Sequence, residues 1–237
     1  VSLPFHANFD KQNITLKEAF LRLLDYTINL DGSASLDPMD IDVAFRTDTW
    51  NVKELLAALP PVITDGLKGM DIAADLALDG NCQLSTLDSQ LSTNLTAHVV
   101  LDKGTFSAPK MLPMKVKNIK GDLDVEMTEA VNVKINNLGL KAENTTLNLK
   151  GKVNDVTGDM RVDANLKGNL NLPDLKAFLP DTMPIALHGT SDVNLHLDSR
   201  LSDITDVNLK KMKLGGHLLF HGLDVLYDSI HAVSPTT

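Results

Sequence analysis

The groups of this 237-residue chain that could do chemistry are seven histidines, one cysteine and thirty-one carboxylates. His217 and His221 stand four apart, the spacing of two metal ligands on one helix face. Their setting, Leu214-Gly215-Gly216-His217-Leu218-Leu219-Phe220-His221-Gly222, is bracketed by glycines and reads as a strand. Strand residues four apart stand roughly 13 Å from each other, so the pair cannot share one zinc ion. His98 and His196 alternate with apolar neighbours and belong to the polar faces of their strands. The acidic run Asp37-Pro38-Met39-Asp40-Ile41-Asp42 lacks the glycine and the closing glutamate of a calcium loop. It reads as a turn followed by a solvated strand face. Cys82 is alone, so no intramolecular disulfide forms, and no nucleophile elbow, phosphate loop or dinucleotide fingerprint occurs. The expectation is a non-enzymatic chain with no catalytic residue, no metal and no cofactor.

Charge and composition narrow the partners. Net charge is −9, and the lysines at 115, 117, 120, 210, 211 and 213 are scattered among acids. A nucleic-acid binder needs a basic stripe to neutralise phosphates, so no nucleic acid is expected. Aromatic residues are only 4% of the chain, with one Trp; the apolar surface is mostly Leu, Val, Ile, Ala and Met. No apolar run approaches the roughly 18–20 residues that cross a bilayer as a helix. The start, Val1-Ser2-Leu3-Pro4, has no signal-peptide pattern and reads as a piece of a larger protein.

The elements that position these groups are mainly strands. Ile41, Val43 and Phe45 alternate with polar or small residues, as do Leu76 and Leu78, Leu95 to Leu101, Leu123 to Met127, Val131 to Ile135, Met160 to Leu166, and Val193 to Leu197. Period two means strands with one apolar and one polar face. Short Gly- and Asn-containing links favour antiparallel hairpins. Three segments read as helices. Thr15-Leu16-Lys17-Glu18 has the capping-box spacing and predicts one to Leu24. Asn51-Val52-Lys53-Glu54 opens a second that ends at Leu59 before Pro60, and Asn171-Leu172-Pro173-Asp174 a third that ends at Leu179 before Pro180.

The last two helices align. Ile41–Pro60 and Val162–Pro180 each read strand then helix then proline, and each continues into Leu-x-Gly and a Leu-x-Leu-Asp strand. The register is about 120 residues, the mark of an object that grows by repeated units. The expected units are residues 1–120, carrying the N-terminal helix, and 121–237, within one continuous sheet.

Trp50-Asn51-Val52-Lys53-Glu54-Leu55-Leu56-Ala57-Ala58-Leu59-Pro60, Gly158-Asp159-Met160-Arg161-Val162-Asp163-Ala164-Asn165-Leu166-Lys167-Gly168 and Leu172-Pro173-Asp174-Leu175-Lys176-Ala177-Phe178-Leu179-Pro180 carry a resemblance. In them the chain resembles the AsmA family of bacterial envelope proteins, related to TamB and to the bridge-like lipid-transfer proteins. The resemblance implies a periplasmic body tethered to the inner membrane, a long curved sheet with an apolar groove, and roles in outer-membrane assembly or lipid movement.

The expected fold class is α+β: a predominantly antiparallel, elongated, curved β-sheet with a few short helices and an internal duplication. A smooth aliphatic wall suits acyl chains, which carry no polar groups. The candidate groove-lining residues are Val43, Phe45, Leu76, Leu78, Val99, Val125, Val133 and Leu195. Lipid acyl chains are the expected partner, with envelope assembly proteins the other. A scaffold for outer-membrane protein assembly that binds no lipid is the alternative. The same alternation would also serve a closed sandwich, in which helices or a second sheet bury the apolar face.

Overall fold

The computed structural model describes residues 6–10, 13–23, 25–36, 38–87, 90–109, 112–180, 182–205, 210–228 and 230–233. The expectations drawn from Val1–Pro4 lie outside the described residues.

Alternation over long stretches produces a single meander. The strands are β1 (His6–Asp10), β2 (Asn13–Leu23), β3 (Tyr26–Leu36), β4 (Met39–Thr47), β5 (Trp50–Asn51), β6 (Asp71–Leu87), β7 (Gln90–Ala108), β8 (Leu112–Met127), β9 (Val131–Ala142), β10 (Thr145–Asn154), β11 (Arg161–Asn171), β12 (Ile185–Arg200), β13 (Lys213–Tyr227) and β14 (Ile230–Val233). All pair in sequence order, with only the two-residue β5 off the path beside β6. Every described pairing is antiparallel. The sheet is open and curved, and its path runs from β1 to β14 without closing on itself. The expected boundary between residues 120 and 121 falls inside β8, so no break in the sheet separates the two halves.

The first expected helix is a strand. Residues 15–23 belong to β2, and Leu24 lies outside the described residues. The cause is a bulge. The pairing of β2 with β3 slips between Leu16 and Ala19, where Glu18 takes a left-handed backbone with φ of 53°. The extra residue puts Ile14, Leu16, Ala19 and Leu21 on one face at spacings of two, three and two, which imitates helical periodicity. The Glu18 amide donates to Asp31 Oδ1 across the ladder at 3.1 Å instead of belonging to a helix cap. Lys103 and Asn118 mark further slips in the same left-handed way.

The second helix forms as expected. α1 (Val52–Ala58) is capped by Asn51, whose side chain accepts from the Glu54 amide at 3.2 Å. Two short pieces, α2 (Pro61–Thr64) and a 3-10 turn (Asp65–Leu67), lead to β6. The third is a 3-10 helix, Leu172–Phe178. Asn171 caps no backbone amide there. Its side-chain amide donates to Asp174, and that carboxylate also takes the Asn144 amide and the Thr145 hydroxyl. Tying Asp174 to the β9–β10 turn replaces the regular cap. α3 (Leu201–Thr205) follows β12. α1 follows the end of β4 and the 172–178 helix the end of β11; these two strands run the same way, so both helices lie at one long rim of the sheet.

Among the described residues no second sheet covers the first. Strands pack on their ladder neighbours and on the short helices. The chain exposes 15,512 Å², whereas a compact protein of 25.8 kDa exposes about 10,500 Å². The described strands thus make one sheet rather than two separate sheets.

Candidate functional site

Directly opposed residues of an antiparallel ladder point to the same side, so the registers decide which side chains share a face. Val43 opposes Cys82, and Phe45 opposes Gly80. Two and four residues before Gly80 on β6 stand Leu78 and Leu76; Leu78 opposes Val99, and Leu76 opposes Leu101. Val99 opposes Leu123, and Val125 opposes Ala97 and Val133. Val133 opposes Val153, which opposes Val162. Leu166, four residues on, opposes Leu195. All eight candidate residues thus lie on one side of the sheet, in a band from β4 to β12. Each is half-buried.

The buried strand residues belong to the same side. Ala19, Thr47, Trp50, Val116, Ile135, Ala142, Thr145, Ala164, Val193 and Ser199 are all under 10% exposed and oppose members of this band or of its continuation. Cover comes from the rim. Leu172 of the 172–178 helix is 3% exposed, and that helix packs on β8, β11 and β12. α1 packs on β6, beside the tilted pair of Trp50 and Tyr26, whose rings are 5.6 Å apart.

Two glycines sit where neighbouring strands approach closely. A Cβ added on the apolar side of Gly80 would stand 2.1 Å from the Thr96 carbonyl oxygen, and one on Gly151 would stand 2.3 Å from that of Asp163. At both points the neighbouring strand's backbone takes the space a side chain would need on the apolar side.

The opposite side is polar and carries a depression of about 580 Å³, walled by Asp79, His98, Asp124, Glu126, Lys134 and Lys152. His98 Nδ1 lies 2.8 Å from Asp124 and 3.8 Å from Asp122. Its hydrogen bond to Asp124 raises the His98 pKa above the usual 6.5, and the same bond leads the lowering of the Asp124 pKa. The ligand atoms of His98, Asp122 and Asp124 fall within 4.8 Å of one another, a cluster that strand-by-strand spacing does not reveal. Asn136 donates to both carboxylates at 2.9 and 2.8 Å, and Lys134 pairs with Asp124. The protein itself therefore supplies the compensation that a cation would. Cross-strand pairing recurs along this side: His196 with Asn165 and Asp163, His221 with Asp192, and His231 with Asp224.

The histidines at 217 and 221 both lie on β13, as the glycine-bracketed reading required. Asp42 stands on the polar side of β4 and accepts from Asn81 and Gln83. Cys82 is half-buried on the apolar side between Val43 and Leu95. Among the described residues no helix is long and apolar enough to cross a membrane. Comparison with family models, curated proteins and solved structures returned no match for this chain.

Proposed function

We propose that the apolar side of the sheet is a groove that binds or conducts lipid acyl chains, and that the chain is a periplasmic, non-enzymatic segment of an inner-membrane-tethered envelope protein. One observation carries the reading: the ladder registers put Val43, Phe45, Leu76, Leu78, Val99, Val125, Val133 and Leu195 on one continuous side that no second sheet faces among the described residues. Uncovered apolar surface of that extent is uncommon on a free protein and usually marks a binding site. The wall is aliphatic, which suits chains without hydrogen-bonding groups. Strands separate by about 4.8 Å in a ladder, so the seven steps from β4 to β12 make a track of roughly 34 Å, longer than one acyl chain. The close approach of the neighbouring strands on this side at Gly80 and Gly151 supports concavity. The like placement of α1 and the 172–178 helix at one rim supports an internal duplication, with units 1–120 and 121–237.

The test is extraction of the purified chain and mass spectrometry of what it carries. Stoichiometric amphiphiles that disappear on charging the apolar side are the expected result. A chain purified empty, which also takes up no fluorescent fatty acid, would favour the scaffold in outer-membrane protein assembly instead.

A further inference from the structure

On the polar side of the sheet, charges on neighbouring strands pair: Arg161 and Lys213 with Asp198, and His221 with Asp192. The depression on that side departs from the pattern. One row of directly opposed residues crosses it: Asp79 on β6, His98 on β7, Asp124 on β8, Lys134 on β9 and Lys152 on β10. His98 and Lys134 both reach Asp124, at 2.8 and 3.5 Å. Asp79 is left at one end of the row and Lys152 at the other. Lys134 and Lys152 are like charges directly opposed, which destabilises a ladder and which an anion between them would relieve. Asp163 opposes Lys152 from β11, yet its carboxylate is the one that faces His196, at 3.8 Å. Glu126 stands in the next row, opposite Thr96 and Asn132. Among the described residues Asp79, Glu126 and Lys152 hold no ion pair and no side-chain hydrogen bond, although Arg46 opposes Asp79 from β4. Charge is therefore divided across the depression, with carboxylates on β6 and β8 and ammonium groups on β9 and β10.

We propose that this depression binds a short zwitterionic peptide, its ammonium between Asp79 and Glu126 and its carboxylate between Lys134 and Lys152. The site is on the side of the sheet away from the groove and does not rest on lipid binding. Asp79 and Glu126 flank β7, and from β7 to the β9–β10 pair is two to three ladder steps, roughly 10–14 Å. An extended chain covers roughly 3.3–3.6 Å per residue, so three or four residues span the two charged ends. Thr96, Asn132 and Asn154 line the same depression and offer donors and acceptors to peptide groups. The volume of about 580 Å³ lies within the roughly 300–1,000 Å³ of small-ligand sites. Other ligand classes fit less well. No Phe, Tyr or Trp lines the depression for stacking on a base or a sugar, and a polyanion would meet Asp79, Asp124 and Glu126.

The experiment is equilibrium dialysis of the full chain against labelled trialanine at low ionic strength and neutral pH. One saturable site per chain is the expected result. A blocked end loses a hydrogen-bonded charge, worth about tenfold in affinity, so N-acetyl-trialanine and trialanine amide should each compete about tenfold more weakly. Lys152→Gln should narrow the difference between trialanine and its amide. Asp79→Asn with Glu126→Gln should narrow that between trialanine and its N-acetyl form. All three side chains are exposed, so the circular dichroism spectra should match the parent's. Alanine and phosphoethanolamine, whose charged ends lie closer together, should compete more weakly than trialanine. Absence of saturable binding overturns the proposal, as does equal competition by free and blocked peptides. Undiminished discrimination in either variant overturns it too, and so does competition by phosphoethanolamine as strong as that of trialanine.

Discussion

Val193 and Leu195 point to the same side of β12, two residues apart, yet one is 6% exposed and the other half-buried. Replacing each by Asp separates an open face from a closed core. Val193 stands on the strand against which the 172–178 helix packs. A carboxylate there loses its water and finds no partner, at a cost of several kcal/mol even after relaxation. Leu195 keeps part of its surface in water. Fully burying a leucine contributes about 1.5–3 kcal/mol, so removing a half-buried one costs about 1 kcal/mol, and the carboxylate stays hydrated. Urea unfolding followed by circular dichroism should show Leu195→Asp near the parent midpoint and Val193→Asp far below it or unfolded. Mass spectrometry of extracted lipid should show less cargo on the folded Leu195→Asp protein. If the two variants are equally destabilised, Leu195 lies in a closed core and the groove assignment fails there. If Leu195→Asp folds and carries undiminished lipid, the acyl path does not cross that position.

Gly80→Ala forces its Cβ against the Thr96 carbonyl oxygen and the Phe45 ring, at 2.1 and 2.7 Å. Overpacking of this kind costs about 1–3 kcal/mol, so the unfolding midpoint should drop, and a variant as stable as the parent refutes the close approach at that site. Proton NMR of His98 should give an apparent pKa above 6.5 that falls in Asp124→Asn, with no fall if the pairing is absent in solution. His98 is raised, so its contribution is complete below its unfolded pKa and is lost as pH rises through the folded one. Asp124 is lowered, so its contribution is present above its unfolded 3.8 and is lost as pH falls through the folded value. Asp124→Asn should therefore cost more stability at pH 5 than at pH 9. Chelator should leave the melting temperature unchanged, since Asn136 and Lys134 already compensate the Asp122–Asp124 carboxylates. A fall of several degrees would mean a structural metal at that cluster.

The sequence by itself determined the strands and one helix, because those signals are local. Alternation at Ile41, Val43 and Phe45, or at Val131, Val133 and Ile135, needs only the two-residue period of an extended chain. The Asn51 cap and the Pro60 stop need only a dozen residues to define α1. The same local reading placed a helix on Thr15–Leu24, since one bulge residue at Glu18 turns a strand's period into something near a helix's. It also expected a regular helix after Asn171, where Asp174 is instead drawn to Asn144 and Thr145, about thirty residues away in sequence. Only the tertiary structure decided which strand faces join. Each bulge reverses the relation between residue number and side, so whether Val43 and Leu195 share a face depends on every slip in the ladders between them, at 73–75, 101–108, 117–123 and 149–151. It also decided that a depression of about 580 Å³ and the His98 cluster lie on the polar side. That juxtaposition brings together strands whose spacing along the chain carries no sign of it.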